Sequence, residues 1–560
     1  MLTAGENNPG RLAHHIWTVT EKFAYFVCFL LPDARLYTTP GMFRQCFGAV
    51  SILLPRKGLS PDRRRVALAT LRRVQLGPSD LARILGTEVP PDAGVVVGVT
   101  HDSRAVQPGF AFVAVPGFKH DGAAFAADAR RRGATLVVAE SPVAGVPTAV
   151  VSDARGALAA LARAVNGDPS QKMDVYGVTG TNGKTTTAYV LHAVLSGACG
   201  AGRCGLMSTA ETIVGRDRRP AVRTTPEAPE VQGTLAGMLR AGVGRVVMEV
   251  SSHGVALKRV TGTRFAGALF TNLTRDHLDL HGTMEDYFAA KRELFHWTEG
   301  PKLANAEDPW GRRLASEIEG VRTFGGAADA DYRVDGVRTV GGGTRFSLAH
   351  GGGVLDLESP LLGPYNVLNV AGAAGLALAV GIGGDAVAGA VRGMGQVPGR
   401  FERVVAAGEL GFEVVVDYAH TDVGLEAVLR VARGVAGEAG RVICVFGAAG
   451  DRDGAKRPGM GRVASHLADR SIITTDDAYT EDPAKIAREV AAGADPSRTV
   501  VELDRREAIG LALGLARPGD VVVVAGKGHE TVQHLPEGDV PFHDATVVGE
   551  LLAEMRDQGR

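Results

Sequence analysis

DVYGVTGTNGKTTT, Asp174 to Thr187, is the stretch on which the reading of this chain turns. Its first six residues, Asp174 to Thr179, read as a buried strand that feeds straight into a glycine loop. The pattern predicts a helix beginning at Thr185 or Thr186. Gly180 and Gly183 let backbone N–H groups approach phosphate oxygens, and the helix N-terminus adds its positive end. Lys184 brings a cation to the terminal phosphates, and the Thr185 hydroxyl can hold Mg2+. Thr181, Asn182 and Thr186 complete the loop. Its spacing departs from the strict GxxxxGKT form, because Val178 stands where the first glycine falls. ATP and Mg2+ are the expected cofactors.

Working outward, strands and helices alternate on both sides of the loop. Later buried strands are expected at Arg245 to Val250 and Gly267 to Thr271, with helices at Glu230 to Ala241, Met284 to Phe295 and Asn366 to Val380. That alternation argues for an α/β fold with a mostly parallel sheet. Upstream, a smaller α/β unit ends at the turn-rich Asn166-Gly167-Asp168-Pro169. Downstream, strands at Phe412 to Asp417, Arg441 to Phe446, Arg470 to Thr474 and Asp520 to Ala525 alternate with helices in a doubly wound pattern. The expected division is 75–170, 171–397 and 398–560, after an extension at 1–74.

The chain has 560 residues, too many for one core. Lys+Arg 61 against Asp+Glu 62 gives a net charge of -1, which argues against a nucleic-acid partner. Five cysteines with no CxxC pair argue against a disulfide framework or a zinc site, and for a reducing cytoplasm. The apolar run Phe23 to Leu31 is far shorter than the roughly 20 residues a spanning helix needs.

Further segments carry chemistry. They are Glu249-Val250-Ser251-Ser252-His253, Thr271 to Asp279 with Arg275-Asp276-His277, Ala290-Lys291, Asn366 with Asn369, Asp417-Tyr418-Ala419-His420, and Gly526-Lys527-Gly528-His529-Glu530. Together with TGTNGKTT, these resemble the Mur ligase family from about Leu76 to the C-terminus. The pattern is most similar to the members that add the third amino acid to UDP-N-acetylmuramoyl-L-alanyl-D-glutamate. The resemblance implies a three-domain architecture: a central P-loop ATPase-like sheet between a small α/β N-terminal domain and a Rossmann-like C-terminal domain. It also implies an ATP-dependent ligase of peptidoglycan synthesis, which phosphorylates a carboxylate and lets an amine displace the phosphate.

Residue by residue, the resemblance implies Thr185, Glu249, His277 and a carbamylated Lys291 as Mg2+ ligands. Lys184, Lys291, His277 and Arg400 are the implied catalytic set. Asn366, Asp417 and His420 join the loop at the nucleotide. Ser103, Phe118, Lys119 and His120 match the uridine-diphosphate contacts, and Thr224, Thr225, Ser251 and Arg259 match the muramoyl-dipeptide contacts. Arg452, Asp476, Asp477, Tyr479, Gly526 and Glu530 are the expected amino-acid contacts. Family members that add meso-diaminopimelate carry an Asp-Asn-Pro-Arg motif, whose arginine pairs with the extra carboxylate. Here the same place reads Asp476-Asp477-Ala478-Tyr479. The tyrosine cannot supply that cation, and Asp477 adds negative charge. The expected partner is a dibasic amino acid, with L-lysine or L-ornithine ahead of meso-diaminopimelate. The rivals are another Mur or folylpolyglutamate-type ligase, and a non-catalytic nucleotide-binding scaffold.

Overall fold

A computed structural model of the chain describes residues 74–117, 120–340 and 342–558. The apolar run at Phe23 to Leu31, with Phe118 and Lys119, lies outside the described residues. Three main sheets carry the architecture, and each follows from where β-branched runs fall between turn residues.

The first is a four-stranded parallel sheet of Gly98–Thr100, Phe110–Val113, Leu136–Ala139 and Thr148–Val150. The helix Ala154–Val165 covers it, capped by Asp153, which accepts from the Gly156 amide. The sequence reading passes over this helix. Alanine at four of its seven buried positions leaves little apolar periodicity to see.

The second sheet has eleven strands. The loop strand Asp174–Thr179 lies near its middle, between Gly267–Phe270 and Arg245–Glu249, both parallel to it. Antiparallel strands close both ends of the sheet, at Tyr332–Val340, Gly343–His350 and Gly353–Ser359, and at Glu211–Val214 and Asp217–Pro220. The expectation of a mostly parallel sheet therefore describes the middle only, since polar hairpins give weak strand signals. The helix after the loop is Lys184–Cys199, starting one residue before the predicted position. It packs on Pro364–Ala379, a helix apolar almost all round, as a doubly buried element must be.

The third sheet runs Glu402–Arg403, Glu413–Asp417, Val521–Ala525, Val442–Phe446, Arg470–Ile473 and Thr499–Val501, parallel except for the two-residue edge. The sequence reading omits a hairpin, Val532–Leu535 with Gly538–Pro541, and the final helix Asp544–Asp557. Asp544 and Arg505 are both fully buried and bond in two places, at 2.8 Å and 2.7 Å. Arg505 also donates to the carbonyls of Ala525 and Thr475, tying the ends of two strands together.

Removing one member of such a pair strands a charge in the interior. Asp544→Ala is expected to lower stability by about 3–5 kcal/mol in chemical denaturation. Replacing Asp544 and Arg505 together with apolar residues is expected to recover most of the loss.

Candidate functional site

The phosphate loop is shaped by two glycines in conformations that side chains avoid. Gly180 has φ 148° and a Cβ there would lie 1.9 Å from the Thr271 hydroxyl oxygen. Gly183 has φ 81° and a Cβ there would lie 2.4 Å from Asn369 Oδ1. The neighbouring strand end braces the loop: the Thr181 amide donates to Asn272 O at 2.8 Å and the Asn182 amide to Asn272 Oδ1 at 2.9 Å. From behind, Thr187 donates to Asn369, Asn369 to Asn366, and Asn366 to Leu362 O. Asn366 thus has both amide ends engaged and acts here as a brace. Thr186 is buried on the same helix.

Cations and a carboxylate converge on the loop. Lys184 Nζ donates to Gly180 O at 3.1 Å and Thr181 O at 2.8 Å. Lys291 is 1% exposed and donates to the same Gly180 carbonyl at 2.7 Å, with its Nζ 4.5 Å from the Tyr287 ring centre. Burial pushes the Lys291 amine well below its usual range, and repulsion from Lys184 adds to that. Burial also lowers Lys184, but attraction to Glu249 opposes the shift. Glu249 is fully buried, and its carboxylate accepts from the Thr209 amide at 2.8 Å and hydroxyl at 3.0 Å. His277 has φ 52° and turns its ring edge-on to His253, with centroids 4.6 Å apart.

The third sheet reaches this loop through Arg400. Its Nη2 donates to the Thr185 hydroxyl at 3.2 Å, and its guanidinium lies 4.5 Å over the Tyr418 ring. Arg400 Nε is buried without a hydrogen-bond partner. Asp417 is held by the Phe401 and Ala419 amides at 2.6 Å and 2.8 Å, so its carboxylate shapes the turn that carries Arg400. Burial raises the Asp417 carboxyl, with Arg400 opposing. The His420 ring is bonded through Nδ1 to Tyr418 O at 2.8 Å, and Lys456 donates to the His420 carbonyl.

The expected dipeptide contacts join the same network. Thr225 donates to the Glu249 carbonyl at 2.9 Å and accepts from the Ser251 amide and hydroxyl. Arg259 donates to Thr225 O and pairs with Glu227 at 2.7 Å. Thr224 Oγ1 lies 3.1 Å from the Thr209 hydroxyl oxygen, the same group that bonds Glu249. Thr209 is the link that sequence reasoning missed, and no motif marks it. Ser103 and His120 belong to the first sheet's loops, outside this network. Ser103 is buried in a turn capped by Asp102, and His120 is exposed beside Phe125.

Beyond the carboxyl ends of the third sheet's inner strands the amino-acid candidates cluster. Asp477 accepts from Lys527 Nζ at 2.8 Å and from the His534 amide at 2.9 Å. Lys527, named in the sequence only as part of the Gly526 to Glu530 segment, is fully buried and bonds Glu530 at 3.0 Å. The Asp477 charge is therefore paired within the protein, which removes the reason for expecting it to attract a terminal ammonium. Gly526 has φ 117°, and a Cβ there would lie 2.3 Å from Asp476 Oδ2. Tyr479 stacks on His534 at 5.1 Å, and the Arg452 guanidinium lies 5.5 Å over its ring.

Three family models match the chain: the Mur ligase family catalytic domain over 95–166, the Mur ligase middle domain over 178–377, and the Mur ligase glutamate ligase domain over 399–528. A curated relative from Gloeobacter violaceus is 43% identical over 85% of this chain and 97% of its own. It is named UDP-N-acetylmuramoyl-L-alanyl-D-glutamate--2,6-diaminopimelate ligase, and seven more relatives at 37–44% identity carry that name. A solved structure with the same ligase name has a TM-score of 0.62 and 29% identity, covering 86% of this chain and all of its own. A MurF ligase from Thermotoga maritima in complex with ADP shares the fold, with a TM-score of 0.56, 20% identity, and coverage of 83% of this chain and 98% of its own.

The geometry of the loop makes a direct prediction. Gly183→Ala is expected to cost about 1–3 kcal/mol of stability, through its left-handed backbone and the Asn369 contact, and to weaken nucleotide binding in calorimetry. Gly233→Ala is the control, since it lies in a helix with open space around its Cβ position and is expected to stabilise slightly.

Proposed function

Because the chain belongs to the Mur ligase family, whose members form amide bonds at the expense of ATP, we propose a specific reaction for it. It joins a dibasic amino acid to the D-glutamate of UDP-N-acetylmuramoyl-L-alanyl-D-glutamate through an acyl phosphate, in peptidoglycan synthesis. One observation carries this reading: the residues expected to hold the dipeptide are hydrogen-bonded to the carboxylate residue of the phosphate site. Thr225 bonds the Glu249 backbone, and Thr224 reaches the Glu249 side chain through Thr209. A carboxylate held there would lie beside a γ-phosphate on the loop, which supports attack of one on the other.

In this mechanism a substrate carboxylate oxygen bonds to the γ-phosphorus and ADP leaves. The amino group then bonds to the acyl carbon and phosphate leaves with the transferred oxygen. Lys184 and the loop amides neutralise charge at the phosphates, and Arg400 brings a second cation from the third sheet. Mg2+ fits the donors present: the Thr185 hydroxyl is a hard oxygen ligand, and so is the buried Glu249 carboxylate, whose side-chain partners are the Thr209 amide and hydroxyl. Thr185, Glu249 and His277 would hold the ion, which would supply further positive charge at the phosphates. Lys291, buried and driven toward its neutral amine, is suited to carbamylation, which would turn it into an anion able to hold a second ion.

The amino acid we propose is meso-diaminopimelate. The relatives' names support it, and the pairing of Asp477 with Lys527 takes away the argument for lysine or ornithine. The domain division 75–170, 171–397 and 398–560 belongs to the same reading, with the nucleotide-sugar at the first unit and the amino acid at the third. Among the described residues no helix is long and apolar enough to cross a membrane. A cytoplasmic location suits a nucleotide-linked substrate and ATP.

The test is phosphate release from ATP with the UDP-dipeptide and each of meso-diaminopimelate, L-lysine and L-ornithine. The highest kcat/KM is expected with meso-diaminopimelate. Efficient use of lysine or ornithine alone would contradict the choice of amino acid. Phosphate release that ignores every amino acid would overturn the ligase reading.

A further inference from the structure

Two loops at the third sheet hold non-glycine residues at left-handed angles. Asp451 has φ 51° and Tyr479 has φ 50°. A bulky residue keeps such an angle only where its surroundings fix it, and such positions cluster at functional sites. Here the surroundings are explicit. The Asp451 carboxylate accepts from the Thr480 hydroxyl at 2.8 Å, and the Asp451 amide donates to Glu481 at 2.7 Å. Glu481 in turn pairs with the buried Arg457 at 2.8 Å. On the other side, the Tyr479 amide donates to His534 O at 3.1 Å and its ring lies nearly parallel to the His534 ring, at 12°. His534 is fixed by a 2.7 Å bond to Asp539 across its hairpin.

The two loops are thus stitched together, and the residue that follows Asp451 is Arg452. Its side chain is exposed, and its guanidinium lies 5.5 Å over the Tyr479 ring. An exposed arginine has many rotamers, and fixing one costs entropy when a ligand binds. The Tyr479 side chain, through its ring and its hydroxyl, restricts the guanidinium beforehand and leaves other N–H groups for a carboxylate.

Resting on the functional reading above, we propose that Tyr479 is a positioning residue. Its ring holds Arg452 ready for the second carboxylate of the amino-acid substrate. The charge that the sequence lacks at position 479 is then supplied from position 452, and the tyrosine is a platform rather than a lost contact.

Tyr479→Gly tests this well, because glycine accepts φ 50° without strain, so the variant keeps the loop while losing the ring. It is expected to raise KM for meso-diaminopimelate about tenfold, with kcat and the KM for ATP within about twofold of the parent. Its melting temperature is expected to hold. Tyr479→Phe, which keeps the ring and loses the hydroxyl, is expected to stay closer to the parent than to Tyr479→Gly, and His534→Ala to raise the same KM by a smaller factor. In an Arg452→Gln background, Tyr479→Gly is expected to add nothing. An unchanged KM in Tyr479→Gly would overturn the proposal. So would a Tyr479→Phe variant as impaired as Tyr479→Gly, or an equal KM rise with Arg452 already removed. Parent turnover with meso-diaminopimelate is measured first and tests the functional reading separately. Its absence removes both, whereas parent turnover with uncoupled positions removes only the platform.

Discussion

The carbonyl of Gly180 accepts hydrogen bonds from two lysine side chains, the half-buried Lys184 and the fully buried Lys291, at 3.1 Å and 2.7 Å. Two like charges around one oxygen in an interior of low dielectric repel strongly. The arrangement persists because the surroundings divide the burden unequally. Glu249 lies close enough to favour the charged form of Lys184, whereas Lys291 sits against that carbonyl and the face of Tyr287, and burial with repulsion from Lys184 outweighs the attraction of Asp276 and drives it toward its neutral form. The inequality assigns the two lysines different work. On the proposed reading, Lys184 is the standing cation of the phosphate site and Lys291 the amine that is carbamylated. It also explains why position 180 is glycine: any side chain there would collide with Thr271 and push the carbonyl off its two partners.

From that oxygen the rest of the site extends in two directions. Through Glu249, Thr209 and Thr225 it reaches the residues expected to hold an acid substrate, all within the second sheet's loops. Through Thr185 it reaches Arg400, which belongs to the third sheet. The second link is a single hydrogen bond together with a guanidinium resting on Tyr418. That link is one of several, since Leu362 packs in the core of the third sheet and Arg403 donates to the Gly342 carbonyl.

Much of this was legible in the chain because glycines, lysines and strand–helix switches leave strong local marks. The loop strand, its helix and the parallel alternation around them are read from residues 174 to 187 outward. The roles of Glu249, His277 and Lys291 needed a resemblance, since a lone carboxylate, histidine or lysine carries no signature. Thr209 was invisible: it stands between two short strands, and its function comes from the fold bringing it to Glu249 across the sheet. Lys527 was visible within Gly526 to Glu530, but its pairing with Asp477 was not, and that pairing reverses the charge argument drawn from sequence alone. The hairpin carrying His534 is short and polar, so nothing in it forecast that a histidine would lie under Tyr479.

The account rests on a substrate carboxylate attacking the γ-phosphate within this site. The most direct measurement labels that carboxylate with oxygen-18 in the UDP-dipeptide and examines the phosphate released during amide formation. The account predicts that each phosphate carries one heavy oxygen taken from the carboxylate. Phosphate released without label, while amide accumulates, would contradict it.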